Sequence, residues 1–112
     1  RFLTLKYKNM TQKEFNKLIK ALDYKAGQVM SDKGGEYRGE SFDVLNNFKS
    51  TGNRLNISPL KVWAVYFEKQ VNSVFTHVNH DNIKKAESLD SRFCDIINYA
   101  KLGLALFKET KK

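Results

Sequence analysis

SPLKVWAVYFEKQVNSVFTHV, residues 58–78, is the stretch on which the fold turns. Ser58 is a strong N-cap, and Pro59 suits the first helical position, where its missing N–H costs nothing. Leu60, Trp63, Phe67, Val71, Val74 and Val78 then recur at spacings of 3, 4, 4, 3 and 4, a long apolar stripe that Tyr66 and Phe75 widen. Such a stripe needs a partner of equal length, and the chain supplies one. From about Ser88, Leu89, Phe93, Ile96, Ala100, Leu104 and Phe107 mark a second stripe, which the reading places against the first. Two helices of roughly 30 Å pack antiparallel along their whole length, joined by the polar, charged connection 79–87.

Working back toward the N-terminus, Ser41 is expected to cap a helix that buries Phe42, Leu45 and Phe48 and that ends at Gly52 in the left-handed conformation. Residues 25–40 carry Gly27, Gly34, Gly35 and Gly39 with Ser31 and Asp32, and they read as a long Gly-rich loop. Before it, Thr11 and Glu14 form a capping box, and Phe15, Leu18, Ile19 and Leu22 lie on one helical face. Phe2 to Tyr7 reads as a short extended arm. The expected fold is therefore all-α: one four-helix, bundle-like domain over residues 1–112.

Composition agrees with a single folded domain. The 112 residues are 41% hydrophobic with eight Phe, enough for one core and too few for two. No apolar run is long enough to span a bilayer, because Asn98 and Lys101 interrupt the best candidate, 96–107. The start at Arg1 shows no secretory signal, and a single Cys suits a reducing compartment, so a cytoplasmic location is expected. The Asn-x-Ser/Thr matches at Asn9 and Asn56 then count as chance. Formal charge is +8, of which +5 falls within residues 1–25. An excess of this kind favours an anionic partner.

Three groups of residues carry chemistry. Along the last helix Ser88, Arg92, Asp95 and Tyr99 form a polar strip, and Lys61, Glu68 and Asn72 form another on the helix before it. If the strips face each other, Glu68 and Asp95, with Glu87 and Asp90 nearby, are candidate oxygen ligands for Mg²⁺; otherwise they pair with Lys61, Lys69 or Arg92. The second group is the segment Lys33 to Glu40, which is either a plain flexible loop or a phosphate site where glycines leave backbone N–H groups open, Arg38 grips the anion and Tyr37 stacks on a base. It lacks the Gly-Lys-Ser/Thr of a Walker loop. The third is the face Lys13, Lys17 and Lys20, a solvated surface or a nucleic-acid contact. His77, His80 and Asp81 are too few for a zinc site, and Cys94 lies on an expected buried face.

Three stretches, YRGESFDVLNNF at 37–48, Glu68-Lys69, and ESLDSRFCDIINYA at 87–100, resemble a phage and prophage family, the nucleotide-modification-associated domains. That family is itself similar to all-α nucleotide pyrophosphohydrolases, and the resemblance spans about three quarters of the chain. It implies a helical bundle that handles a nucleotide in the host cytoplasm. The chain departs from the pyrophosphohydrolase pattern in its carboxylates: Glu87-x-x-Asp90 fits, but Glu68 lacks an acidic partner on its own helix.

The resemblance and the residues together give a leading expectation and two alternatives. The leading one is binding of a phosphorylated nucleotide by Lys33, Arg38, Lys61, Lys69 or Arg92, its base on Tyr37, Tyr99 or Trp63, with sequestration of a nucleotide signal of a host defence system as the expected role. The first alternative is a Mg²⁺-dependent pyrophosphohydrolase using Glu68, Glu87, Asp90 and Asp95. The second is an inhibitor of a host factor, or a DNA binder, acting through the basic first helix. The aromatic content also leaves an apolar face for a homodimer with sites shared between protomers.

Overall fold

A computed structural model of the chain describes residues 9–80 and 82–110, the side chains of Tyr37 and Thr110 excepted. The expected arm at Phe2 to Tyr7, and Asp81, lie outside the described residues. Four helices form: α1 (Gln12–Arg38), α2 (Asn46–Leu55), α3 (Pro59–Asn79) and α4 (Leu89–Thr110). The architecture is the all-α, four-helix one expected, and no strand occurs among the described residues.

The capping signals at Thr11 and Ser58 hold. Thr11 Oγ1 accepts from the Glu14 N–H at 3.1 Å while the Thr11 N–H donates to Glu14 Oε1 at 3.0 Å, closing the box. Ser58 Oγ accepts from the Lys61 N–H at 3.2 Å, with Pro59 in the first helical turn.

The Gly-rich loop does not form. α1 continues through Gly27, Gly34 and Gly35 to Arg38 and ends at Gly39, whose φ of 60° only glycine adopts readily. Each helical glycine costs up to about 1 kcal/mol relative to Ala. Packing opposes that cost: Ala26 is fully buried against α4, and Asn98 Nδ2 donates to its carbonyl at 2.9 Å. The expected start of the second helix is also corrected. Ser41 Oγ accepts from the Asp43 N–H and Asp43 Oδ1 from the Leu45 N–H, two side-chain turns that delay α2 to Asn46. Phe42 consequently stands fully exposed, while Leu45 and Phe48 are buried as expected. Gly52 lies inside α2, where a Cβ would stand 2.6 Å from the Ile57 carbonyl oxygen, and Asn56 at φ 56° ends the helix instead.

The facing of α4 differs most from expectation. Its buried residues are Cys94, Asn98, Gly103 and Leu106, whereas Leu89, Phe93, Leu104 and Phe107 are 41–61% exposed. α4 is apolar around more than half its circumference, so period alone cannot choose the inner face. Trp63 chooses it. Its ring lies where a Cβ on Gly103 would stand, against Cε2 and Cζ2, and its Nε1–H donates to the Tyr99 carbonyl at 2.6 Å. Around this seat Trp63 stacks on Phe67 and meets Phe107 edge-on, and Tyr66 stacks on Tyr99 with Phe48 tilted against both.

These pairs set α3 antiparallel to α4, while Ala26 beside Asn98 and Met30 beside Leu102 set α1 parallel to it. α4 thus lies between α1 and α3, which do not touch. α2, only 10 residues long, covers one end. The opposite end of α1 is open to solvent: Phe15, Leu18 and Ile19, which the sequence places on one apolar face, are 47%, 47% and 37% exposed, with Leu18 bordering a groove shared with Leu89 and Phe93 of α4. A radius of gyration of 17.2 Å, against about 13 Å for a compact chain of this length, reflects that open layout.

The two kinds of helical glycine should respond oppositely to substitution. Gly103→Ala forces the Trp63 ring out of its seat and should destabilise by about 1–3 kcal/mol in urea denaturation followed by circular dichroism. Gly35→Ala, where a Cβ meets open space, should instead stabilise by up to about 1 kcal/mol. Loss of stability in Gly35→Ala would mean that α1 does not continue through the glycines.

Candidate anion-binding site

The start of α4 is built from its cap outward. Ser88 Oγ accepts from the Ser91 N–H at 3.1 Å, and the Ser88 carbonyl accepts from the Arg92 N–H at 3.2 Å. One turn in, Arg92 is held from two sides. Nη1 donates to Gln70 Oε1 of α3 at 3.1 Å and pairs with Glu87 Oε2 at 3.0 Å, leaving its side chain 14% exposed. Gln70 is itself buried, so the guanidinium stands at a fixed place on the seam of the two long helices.

Beside Arg92 opens a cavity of about 170 Å³ lined by Ser73, Thr76 and His77 of α3, by Lys84, Lys85 and Ala86 of the connection, and by Arg92. Ser73 and Thr76 donate their hydroxyl protons to the carbonyls of Lys69 and Asn72 within α3. The donors left for a ligand are nitrogens: the guanidinium, the two ammonium groups and the imidazole. Lys85 also donates to the His80 carbonyl, tying the connection to the end of α3. No carboxylate lines the cavity. Three positive charges from two segments, that of Arg92 shared with Glu87, and an imidazole beside them suit an anion with several oxygens such as a phosphate or diphosphate.

A second polar group lies further along α4. Asp95 is half-buried, and that burial pushes its carboxyl above the usual carboxylate range. Lys33 from α1 pulls most strongly the other way, Glu87 adds to the rise, and Arg92 and Lys69 oppose it. Next to it, Asn98 Oδ1 is buried with no hydrogen-bond partner in a cavity of only about 10 Å³, room for roughly one water.

Of the residues singled out in the sequence, the structure brings Lys33, Lys69 and Arg92 around Asp95, and Tyr99 lines the same cavity as Lys33. Arg38 borders a neighbouring cleft with Gly34, Gly35 and Val44. Lys61 lies apart, exposed in the first turn of α3, and Trp63 is committed to its seat against Gly103. The side chain of Tyr37 lies outside the described residues. The four carboxylates proposed for Mg²⁺ are dispersed: Glu68 is exposed and is not among the charges acting on Asp95, Asp90 borders an apolar groove with Leu18 and Phe93, and Glu87 is paired with Arg92. Among the described residues no three His, Cys, Asp or Glu side chains gather as a metal site.

His77, Lys84 and Lys85 were not singled out as anion ligands in the sequence. The signal was present in the adjacent lysines just before the Ser88 cap, where a helix N-terminus adds its positive end. Lys13, Lys17 and Lys20 are exposed on α1, far along that helix from Lys33. No helix among the described residues is long and apolar enough to cross a membrane. Comparison with protein-family models, with curated proteins and with solved structures finds no match for the chain.

The two shifted aspartates make opposite pH predictions. Asp95 has a folded-state pKa above its unfolded value, so the folded protein binds the extra proton and stability falls as pH rises through that interval. Asp95→Asn should therefore raise the melting temperature at pH 7 and leave it unchanged near pH 3. Asp43 is held below its usual range by Lys49, so its contribution is present at neutral pH and lost as pH falls through its folded-state value. Asp43→Asn should lower stability at pH 7 by less than about 1 kcal/mol, the pair being a third exposed, and should converge with the wild type in acid. Thermal denaturation at the two pH values reads both.

Proposed function

We propose that the protein binds a phosphorylated nucleotide and holds its phosphates in the cavity beside Arg92. The observation that carries the reading is the cavity's donor set: Arg92, Lys84, Lys85 and His77 around about 170 Å³ with no acid in the lining. Coulomb attraction from several cations in a partly enclosed site outweighs that of the more numerous lysines on open helix faces, which water and salt screen. The nucleotide class rests on the resemblance described above, whose longest stretch, Glu87 to Ala100, includes Arg92 and begins at the cavity's edge. Lys33 and Lys69, gathered with Arg92 around Asp95, extend the positive ground along α4. Binding and retention of the ligand, as in sequestration of a nucleotide signal of a host defence system, is the role this arrangement favours.

Isothermal titration with a panel of linear and cyclic nucleotides and inorganic pyrophosphate tests the reading. At least one nucleotide should bind at micromolar protein, and Lys84→Ala with Lys85→Ala should weaken it tenfold or more, about 1.4 kcal/mol. Lys13→Ala, Lys17→Ala and Lys20→Ala together should leave it unchanged. No heat from any nucleotide, or binding indifferent to Lys84 and Lys85, overturns the assignment. Hydrolysis of the bound nucleotide in the presence of Mg²⁺ would replace retention with turnover.

A further inference from the structure

A helix that is apolar on two faces buries only one of them inside its own protomer. α4 turns Asn98, Leu102 and Leu106 inward, and carries Phe93, Ala100 and Leu104 outward, with Ile97 between them and Leu89 and Phe107 at the ends. This outer stripe follows helical spacing over about five turns, yet Phe93 is 41%, Leu104 61% and Phe107 46% exposed. α1 borders it at Leu89 and Phe93, which share a groove with Leu18 and Leu22, and α3 meets it at Phe107 through Trp63, while Ala100 and Leu104 between them stand exposed. The chain as a whole exposes 8990 Å², whereas a compact monomer of 13.0 kDa exposes about 6,300 Å². Part of that surplus lies on the outer stripe of α4 and part on the exposed half of α1.

We propose that the outer face of α4 pairs antiparallel with the same face of a second copy, across a two-fold axis near Ala100. Three features of the stripe favour a second copy in this orientation. Ala100, at the middle, is small enough to let two helix backbones approach. Asp90 flanks the stripe near its N-terminal end and Lys108 flanks the same side near its C-terminal end, so antiparallel pairing sets Asp90 beside the partner's Lys108 at both ends. Parallel pairing would leave Asp90 and Lys108 at opposite ends of the seam, without these contacts, and align the helix dipoles unfavourably. The anion cavity, on the seam of α3 and α4, is left outside the interface.

Sedimentation velocity on the wild-type chain should show a species of twice the 13.0 kDa chain mass at micromolar concentration. Leu104→Glu should convert it to a monomer with unchanged helical circular dichroism. Independently of that variant, Ala100→Cys, beside the axis, should give a disulfide-linked dimer under mild oxidation. Lys61→Cys, on the exposed start of α3, should not, and the buried Cys94 should leave the wild type unlinked. A chain that is monomeric at every concentration overturns the proposal, as does a dimer that survives Leu104→Glu and is not trapped through Ala100→Cys.

Discussion

The seat of Trp63 against Gly103 governs the rest of the molecule. An indole needs flat room and a partner for its N–H, and on α4 only the glycine leaves the room and only the Tyr99 carbonyl accepts the proton. Once the ring is seated, the register of the two long helices is fixed. Tyr66 then meets Tyr99, and Gln70, one further turn along α3, meets Arg92. The rotation of α4 is fixed as well. Asn98 turns toward α1, where it bonds the Ala26 carbonyl and holds the glycine-bearing half of that helix in place. A single aromatic contact therefore positions the arginine of the candidate site, the attachment of α1, and the apolar stripe that faces outward.

Much of this was legible in the residues. Ser58-Pro59 and the Thr11 and Glu14 box act within one or two turns, and local rules read them correctly. The α3 stripe is half-buried from Leu60 to Val74, but the residues α3 buries are Val62 and Gln70, and Phe75 and Val78 stand 55% and 71% exposed. Two elements escaped for a common reason: their outcome is decided by contacts distant in sequence. The glycines between 27 and 39 carry a local preference for loop that packing against α4 overrides, because Ala26 and Asn98 are 72 residues apart. The facing of α4 is undecidable from its own period, since apolar residues occupy both sides. The informative residue was Gly103, which sits mid-helix where a glycine is unfavourable unless something large approaches it.

The candidate site divides in the same way. Arg92 and Asp95 could be picked out by their spacing along one helix, as could Lys33 and Lys69 by charge. His77, Lys84 and Lys85 come from a helix end and a connection, and only the tertiary fold places them around Arg92. The net charge of +8 likewise misdirects when taken whole. Of the +5 within residues 1–25, only +2 falls on the exposed half of α1, where lysines alternate with half-exposed apolar side chains, whereas the cations around the Arg92 cavity belong to the α3–α4 seam and the connection beside it.

The central claim is that the anion is held at that seam and not on the basic face of α1. Amide chemical-shift mapping of the ¹⁵N-labelled protein during titration with inorganic pyrophosphate tests it most directly. The account predicts saturable shifts concentrated at Ser73 to His77 and at Lys84 to Arg92, with the amides of Lys13 to Lys20 unmoved. Shifts confined to Lys13 to Lys20, or spread evenly over all lysines without saturation, would contradict it.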